Sequence, residues 1–493
     1  MKKVNLGKKR KVAAKLIAKM AMLLILAAML TMLIKVARQD SAVMDELAHI
    51  PAGFGYVVQH DYRLNPEHPP VLKALAGLFG EIFARPNFPT DTQAWQTDVN
   101  GQWAQGNIFL YNSGNDADSI IFWSRFPLIL LTVFFAWFLF YWIKKKIGEG
   151  AAFITLILFA FSPTVLAHGH YVTTDIGAAF GFFLGIVTFL KFLEEPTWRN
   201  TILTGLATGL AMLLKFSLVL IVPAYLLLIL IWALVIPRLS AKERLKSIWF
   251  LVWRTAVVGV VGIVLIWVTY ACFTFNYPQA KQYSDAKFIL GPTSKMLNNL
   301  DLTLIKHSLT RPLGEYLLGV IMVSQRASGG NTGYFMGEVS NTGWRSYFPV
   351  LYLYKEPLAL HLLTFIAIAW AFYKTRKTLG GKVKNIFIKM RTWAYEHMPE
   401  TAALIVIAVY WTSSMLSPLN IGVRHILPTF PFIYLLVARQ ISSWLKPKLI
   451  VNPKKWLHSP EDIYNKYFIA LLKFVIVVIL LGWVVIGAFL AYP

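Results

Sequence analysis

The feature of this sequence that most constrains its fold is a series of apolar segments, each long enough to cross a lipid bilayer. A helix needs about 20 mostly apolar residues for this. Of the 493 residues 57% are hydrophobic and only 15% are charged, against about 25% charged in ordinary soluble domains. A soluble chain and a disordered chain are therefore excluded. The sequence predicts an all-α polytopic membrane protein with eleven spans, at residues 13–36, 120–143, 151–167, 175–193, 201–216, 218–236, 249–272, 350–372, 401–418, 424–443 and 468–490.

The fifth and sixth of these spans form one continuous apolar stretch. A single straight helix of this length, ~55 Å, would overshoot a hydrocarbon core of ~30 Å. We therefore expect the helix to break at Lys215, Phe216 and Ser217. No internal repeat and no separate soluble domain is visible in the sequence, so residues 1–493 are expected to form a single integral membrane domain.

The basic residues set the expected orientation. Thirty of the 48 Lys and Arg residues lie at the N-terminus or in alternate loops, within residues 2–19, 144–146, 191–199, 238–246, 374–391 and 439–466. Because cytoplasmic loops are enriched in Lys and Arg, the N-terminus is predicted to be cytoplasmic. Its apolar run is expected to be an uncleaved span, since no convincing small-residue cleavage site precedes Lys35. The long loops at 37–119 and 273–349 are then extracytoplasmic.

The net charge of +24 would, on a soluble chain, suggest nucleic-acid binding. The loop bias explains it here, so no nucleic-acid partner is expected. The lone Cys272 excludes an intramolecular disulfide framework and a zinc–thiolate cluster. Ten of the 24 acidic residues, against three basic ones, lie between Asp40 and Asp118. The functional site is therefore sought first in this outer loop.

The start of the first outer loop places Asp45 and Glu46 about nine residues past the first span, with His49 one helical turn further on. Carboxylates beside a low-dielectric surface are costly unless they are used or paired, although an acidic residue in an outer loop is most often simply solvated. After Pro70, apolar residues recur at helical spacing, which predicts an amphipathic helix on the membrane surface. Lys73 would lie in its first turn and point away from the apolar face.

The residues of this loop resemble the first-loop signature of the protein O-mannosyltransferases. The matching positions are Asp45, Glu46, Gly53, Tyr56, Asp61, His68, Pro69, Pro70 and Lys73. That family belongs to the GT-C superfamily of polyprenyl-phosphate-sugar-dependent glycosyltransferases, which also holds the aminoarabinose transferases of lipid A. Val71-Leu72 stands where Leu-Gly is common, which is a mild departure. The resemblance implies a GT-C fold with amphipathic helices in two long outer loops.

Four later segments resemble the same superfamily. Asp175 opens the fourth span as the second acidic site of these families does, and a plain helix N-cap is the alternative. Lys215 lies in a stretch like that of bacterial relatives, with snorkelling to the interface as the alternative. Arg424 lies in a Gly-x-Arg-His-x-Leu-Pro motif, where an interfacial anchor is the alternative. Residues 333–349, which include Tyr347, resemble a sugar-facing wall of aromatics and glycines, a mixture that also forms irregular loops.

The resemblance implies transfer of a sugar from a polyprenyl-phosphate-linked donor to an acceptor hydroxyl at the outer membrane face. In this interpretation Asp45 is the general base, and Glu46 or Asp175 orients the acceptor or the donor. The leaving phosphate needs positive charge. Direct displacement at the anomeric carbon predicts inversion. The candidate substrate-binding residues, which include the cations for the phosphate, are Lys73, Lys215, Arg424, His49, His68 and Tyr347.

No cofactor is expected, because side chains meet the charge of the phosphate. His168 and His170 stand beside acidic residues, but their spacing in a loop is weak evidence for a divalent metal. The sequence also lacks the glycine motifs of nucleotide-binding loops. The sequence does not distinguish a protein, a lipid and a glycan as the acceptor. Membrane lipids are the other expected partners.

A bacterial inner membrane is the expected location, because the bacterial-type motifs match better than the others. A transporter or lipid flippase of the cell envelope is the alternative function. Against it, the ionisable residues gather at the outer ends of the spans and are nearly absent from the span centres. A non-catalytic scaffold that retains the fold is a third interpretation. The presence of both Asp45 and Lys73 argues against it.

Overall fold

The computed structural model describes residues 2–237, 239–291, 294–379, 383–446 and 467–491. Residues 238, 380–382 and 447–466, all within predicted cytoplasmic loops, lie outside this part. The first half of the chain contains the helices α1 (Lys2–Ala37), α2 (Met44–Val58), α3 (Val71–Phe83), α4 (Gln93–Gln96), α5 (Gln102–Asn107), α6 (Ala117–Lys146), α7 (Glu149–Ala160), α8 (Pro163–His168), α9 (Asp175–Glu194), α10 (Trp198–Leu214), α11 (Ile221–Val235) and α12 (Ala241–Phe273). A π-helical turn (Ile108–Asn112) and a 3-10 turn (Phe216–Leu220) lie between them.

The second half continues the helical pattern and adds one short hairpin. Its elements are α13 (Gln279–Ile289), α14 (Lys295–Ile305), α15 (Arg311–Gly329), β1 (Gly333–Phe335), β2 (Glu338–Ser340), α16 (Tyr347–Lys355), α17 (Leu358–Leu379), α18 (Val383–Glu396), α19 (Met398–Leu416), a 3-10 segment (Val423–Thr429), α20 (Phe430–Leu445) and α21 (Ile469–Ala491). The two strands are antiparallel, with Tyr334 opposite Val339.

Nine helical segments in the described part of the chain are long and apolar enough to cross a membrane. They are Val12–Ala37, Ala117–Lys146, Asp175–Glu194, Phe216–Val235, Ala241–Phe273, Leu358–Lys377, Met398–Leu416, Val423–Leu445 and Ile469–Ala491. Each coincides with one of the eleven predicted spans. The prediction of an all-α polytopic membrane protein is therefore confirmed, with the hairpin as a small addition.

At the other two predicted spans, 151–167 and 201–216, the structure has shorter helices. α7 contains 12 residues and α10 contains 17. α7 stops at Ala160 because Pro163 has no N–H with which to continue the helical hydrogen bonds. Ser162 instead begins α8, where its Oγ accepts a hydrogen bond from the Val165 N–H at 3.3 Å.

The predicted break in the long apolar stretch is confirmed at Lys215. α10 ends at Leu214, and Lys215 is extended, with φ −159° and ψ 135°. The 3-10 turn then leads into α11. α10 also lies very close to α12, since a Cβ added to Gly209 would lie 2.8 Å from the carbonyl oxygen of Gly262. Small residues permit such close packing between membrane helices.

The first outer loop folds around a similar close contact, between α2 and α3. A Cβ added to Gly53 would lie 2.0 Å from the carbonyl oxygen of Lys73. α3 is the predicted amphipathic helix, and Lys73 points away from exposed apolar residues such as Leu75 and Ile82. It points into the protein, however, and its side chain is buried. The prediction that Lys73 lies in the first turn and points away from the apolar face therefore agrees with the structure, and the side that it faces is the protein interior.

The core of the molecule is formed around α9. In its most apolar window 83% of the residues are buried, against 17% for the peripheral α21. α9 begins with Asp175, so this carboxylate stands at the end of the most enclosed helix. A second, smaller apolar cluster lies within α13–α15 of the second long loop, with Ile305 and Leu318 at its centre.

Candidate active site

Four charged residues from distant parts of the sequence form one cluster. The Nη1 atom of Arg424 lies 2.6 Å from Oδ2 of Asp45 and 3.8 Å from Oδ2 of Asp175. Lys215 Nζ donates a hydrogen bond to the other oxygen of Asp175 at 2.7 Å. All four are predicted site residues, so the structure brings together two of the three predicted carboxylates and two of the three expected cations.

Each member of this charged cluster lies at an end of a helix. Asp45 and Asp175 occupy the first turns of α2 and α9, where the positive end of the helix dipole favours a carboxylate. Thr174 is the N-cap of α9, so the N-cap alternative for Asp175 does not hold. Lys215 stands at the break after α10, and Arg424 in the 3-10 segment that follows Gly422, whose φ is +100°.

The members of the charged cluster differ in exposure. The side chains of Asp45 and Arg424 are 35% and 31% exposed, whereas that of Asp175 is only 5% exposed. Asp175 is thus enclosed between two cations, and Asp45 is the carboxylate that a second molecule could reach. The two carboxylates of the cluster therefore differ in the access that a second molecule has to them.

Glu46, predicted to act in catalysis, is instead buried next to this cluster. Both of its carboxylate oxygens accept hydrogen bonds from Arg125, at 2.8 and 2.6 Å, and one also accepts from the Val172 N–H at 3.0 Å. The side chains of Glu46 and Arg125 are both 0% exposed. Its role in catalysis stays a prediction, and no part of this carboxylate faces open space. It fixes the start of α2 to the loop before Asp175.

Arg125 was not found from the sequence. It also donates hydrogen bonds to the carbonyl oxygens of Ala37, Asp40 and Ser41. The sequence does contain a signal for it, since Arg125 lies inside the predicted span 120–143. A charged residue within a span nearly always has a buried partner.

Lys73, predicted to bind substrate, is buried as well. Its ammonium group donates hydrogen bonds to Tyr56 Oη, to the carbonyl and side-chain oxygens of Asn65, and to the carbonyl oxygen of His68, all at 2.7–2.8 Å. The side chain is 1% exposed, and burial holds its pKa well below the usual range. The structure does not bring Lys73 to the charged cluster. It holds the loop that precedes α3.

The two predicted histidines lie against each other, with ring centroids 5.0 Å apart. His49 Nδ1 lies 2.7 Å from the carbonyl oxygen of Val172. Because a carbonyl oxygen only accepts, this nitrogen carries the proton. Burial lowers the pKa of His49 and lowers that of His68 well below its ordinary value, and the charge on Lys73 contributes in both cases. Both rings are therefore neutral at neutral pH.

A cavity of about 430 Å³ opens beside the charged cluster. Its polar lining comes from Glu67, His68, Lys215, Ser217, Gln325, Arg326 and His425, and its apolar lining from Phe216, Ile289, Met322, Val323, Leu419 and Ile421. Lys215 belongs to both the cavity and the cluster. The cavity therefore has both polar and apolar walls and reaches the charged cluster at Lys215.

Tyr347 lies at the start of α16, next to the segment that carries Arg424. Its ring contacts Phe335, with centroids 5.2 Å apart. Burial raises the pKa of Tyr347, while its hydrogen bond to the backbone at Gly422 and the charge of Arg424 oppose that rise. The structure thus places Tyr347 near the charged cluster.

Of the two loop histidines, His168 ends α8 and His170 follows it in the loop that leads to α9. His170 Nε2 lies 3.3 Å from Asp40 Oδ2. Burial lowers the pKa of His168. Within the described ranges, no three His, Cys, Asp or Glu side chains are placed to hold a metal ion.

The architecture matches two solved membrane glycosyltransferases over nearly the whole chain. ArnT from Cupriavidus metallidurans, solved bound to undecaprenyl phosphate, matches with a TM-score of 0.50 and 14% identity, over 95% of this chain and 72% of that one. The oligosaccharyltransferase of Archaeoglobus fulgidus matches with a TM-score of 0.50 and 16% identity. That match covers 95% of this chain and 56% of the other, so this chain spans just over half the length of the archaeal enzyme. The fold is that of the GT-C membrane glycosyltransferases.

The sequence itself identifies the family. Residues 22–283, more than half of the chain, match the model of the dolichyl-phosphate-mannose-protein mannosyltransferase family. The chain belongs to this family. The matched region contains Asp45, Asp175 and Lys215, and the predicted superfamily is thereby confirmed. A comparison with curated proteins gave no match.

Proposed function

We propose that this protein transfers a sugar from a polyprenyl phosphate to an acceptor hydroxyl at the extracytoplasmic face of a bacterial inner membrane. The observation that carries the proposal is the charged cluster, in which one accessible carboxylate and two cations meet beside a cavity with both polar and apolar walls. Membership in the mannosyltransferase family supports a lipid-phosphate-linked donor, and so does the undecaprenyl phosphate bound to the similarly folded ArnT.

Asp45 is the proposed general base. It is the accessible carboxylate of the cluster, whereas Asp175 and Glu46 are enclosed by cations. In the transfer, the acceptor oxygen forms a bond to the anomeric carbon and its proton passes to Asp45. The bond from that carbon to the phosphate oxygen breaks, and its electron pair leaves with the phosphate. General base catalysis of this kind contributes about 10²–10⁴-fold in rate. A single displacement inverts the anomeric configuration.

Arg424 and Lys215 are the proposed cations for the leaving group. The donor is a phosphodiester with one negative charge, and the released lipid phosphate carries up to two. Positive groups that are already in place stabilise this added charge without reorganisation, and a guanidinium group binds phosphate through two parallel hydrogen bonds. In the cavity, Arg326 and His68 extend the polar wall beyond Lys215. The apolar wall would receive the first isoprene units.

Without substrate, the proposed base is occupied by one of the proposed cations, because Arg424 donates to Asp45 at 2.6 Å. A donor phosphate that takes hydrogen bonds from Arg424 would release Asp45. The acceptor hydroxyl would then find a free base only after the donor has bound.

The test uses the purified protein in lipid nanodiscs with a radiolabelled undecaprenyl-phosphate sugar and three acceptor types: peptides rich in Ser and Thr, lipid A and a glycan. Asp45→Asn removes the base and keeps the shape, so we expect a loss of about 10²–10⁴-fold in kcat. Asp91→Asn, at an exposed aspartate of the same loop, is the matched control. Full activity of Asp45→Asn would remove Asp45 from this role. Movement of the donor lipid in sealed vesicles without any transfer would favour a transporter.

A further inference from the structure

Glu356, between α16 and α17, is a buried carboxyl group with no ion-pair partner among the residues that the structure describes. Its residue surface is 4% exposed. Instead of a cation, three hydroxyl groups face it. Thr164 Oγ1 donates at 2.6 Å, Tyr434 Oη at 3.1 Å and Ser162 Oγ at 3.3 Å. These three donors satisfy the hydrogen-bonding capacity of the buried carboxyl group, which would be costly to bury without partners.

These three hydroxyl groups come from two separate segments of the chain. Ser162 and Thr164 stand at the start of α8, which leads through the loop at 169–174 to Asp175. Tyr434 lies in α20, which directly follows the 3-10 segment that carries Arg424. Glu356 is therefore a polar link, in addition to direct packing, between the two segments whose ends bring Asp175 and Arg424 within 3.8 Å of each other.

The protonation state decides how well this link holds. An ionised carboxylate offers about four acceptor sites and suits three hydroxyl donors, whereas a protonated carboxyl group must itself donate one hydrogen bond. The titratable groups that face Glu356 are Tyr434 on α20 and Tyr352 one turn earlier on α16. Burial raises the pKa of Glu356 to about 7, although its three hydroxyl partners lower it in part. Both forms are thus present near neutral pH.

We propose that Glu356 is a positioning residue for the charged cluster: its ionised carboxylate holds α8 and α20 together and so sets the distance between Asp175 and Arg424. Its protonation loosens that link. In a transfer assay the role is visible only if the proposed function holds, so a second measurement must be independent of activity.

The central experiment compares the wild type with Glu356→Gln, which resembles the protonated form at every pH. In the wild type, the transfer rate is expected to rise as the pH increases through about 7. In Glu356→Gln this inflection is absent, and the rate at pH 8 is several-fold lower than in the wild type. Glu356→Asp keeps the charge and is expected to retain the inflection. Glu400→Gln is the matched control, because Glu400 is equally buried but pairs with Arg439, away from the charged cluster.

Hydrogen–deuterium exchange gives the measurement that does not depend on activity. Peptides that cover residues 162–175 and 423–434 are expected to exchange faster in Glu356→Gln than in the wild type at pH 8, and equally at pH 6. If the exchange differs in this way but the protein shows no transferase activity, the positioning role is supported and the proposed function is refuted. Equal exchange at pH 8, together with an unchanged pH profile in an active enzyme, would overturn the positioning role alone.

Discussion

Arg424 donates a hydrogen bond to Asp45 at 2.6 Å, although 379 positions separate the two residues in the sequence. The same guanidinium group lies 3.8 Å from Asp175, which Lys215 already holds at 2.7 Å. Arg424 is thus shared between an accessible and an enclosed carboxylate. A phosphate competes with Asp45 for Arg424 more readily than with Asp175 for Lys215, because the first pair is the more exposed to solvent.

The first prediction follows from this shared arginine and concerns the order of binding. An acceptor peptide is expected to bind wild-type protein at least tenfold more tightly when undecaprenyl phosphate is present, because the lipid phosphate frees Asp45. In Arg424→Gln, Asp45 is free at all times and the dependence on the lipid disappears. Binding is measured by microscale thermophoresis with and without the lipid. Arg85→Gln, at an exposed arginine of the first outer loop, is the control. If the wild-type protein bound the acceptor with the same affinity with and without the lipid, the ordered mechanism would be contradicted.

The second prediction concerns the buried pair of Glu46 and Arg125. Removing one partner leaves an uncompensated buried charge, which costs on the order of 3–5 kcal/mol. Arg125→Met is therefore expected to lower the thermal unfolding temperature strongly in detergent, and Glu46→Gln is expected to lower it as well. The double variant Arg125→Met/Glu46→Leu should regain part of the loss, because both charges are then gone. If Glu46→Gln abolished transfer without a change in unfolding temperature, Glu46 would be a catalytic residue after all.

The third prediction distinguishes the two interpretations of Lys73. Its ammonium group is fully engaged by oxygens of Tyr56, Asn65 and His68. Lys73→Met leaves these buried acceptors without a donor, so a lower unfolding temperature is expected. The KM for the lipid-linked donor in the folded fraction should stay within about threefold of the wild-type value. Lys215→Met is the comparison, for which the KM is expected to rise beyond this range, because Lys215 lines the cavity. A rise of the donor KM in Lys73→Met at unchanged stability would restore Lys73 to the substrate site.

The sequence predicted the nine spans of the described part of the chain, the break at Lys215 and all four members of the charged cluster, and it placed two further spans where the structure has shorter helices. It could do so because span length, basic loops and short motifs are local signals. It could not distinguish Asp45 from Glu46, since adjacent residues at the start of a helix point in different directions and only the position of Arg125 decides which one is enclosed. The same holds for Glu356, whose three hydroxyl partners lie 78 or more positions away. Such contacts depend on how the helices pack, and no local pattern reports them.

The last prediction concerns Glu315 in α15. Burial raises the pKa of this carboxyl group from 4.5 to about 8, although a hydrogen bond from Gln282 lowers it in part. In the unfolded chain the group ionises near pH 4.5, whereas in the folded protein it keeps its proton up to about pH 8. Between these values the folded state binds more protons, so the free energy of unfolding falls as the pH rises. Glu315→Gln removes this dependence and preserves the shape. Its unfolding temperature is expected to exceed that of the wild type at pH 8 and to equal it near pH 5, as measured by differential scanning fluorimetry.

Glu338→Gln, at an exposed glutamate of the same loop, is the control, for which the two curves should coincide at both pH values. A wild-type protein whose unfolding temperature is as high as that of Glu315→Gln at pH 8 would show that this carboxyl group ionises in the folded state without cost.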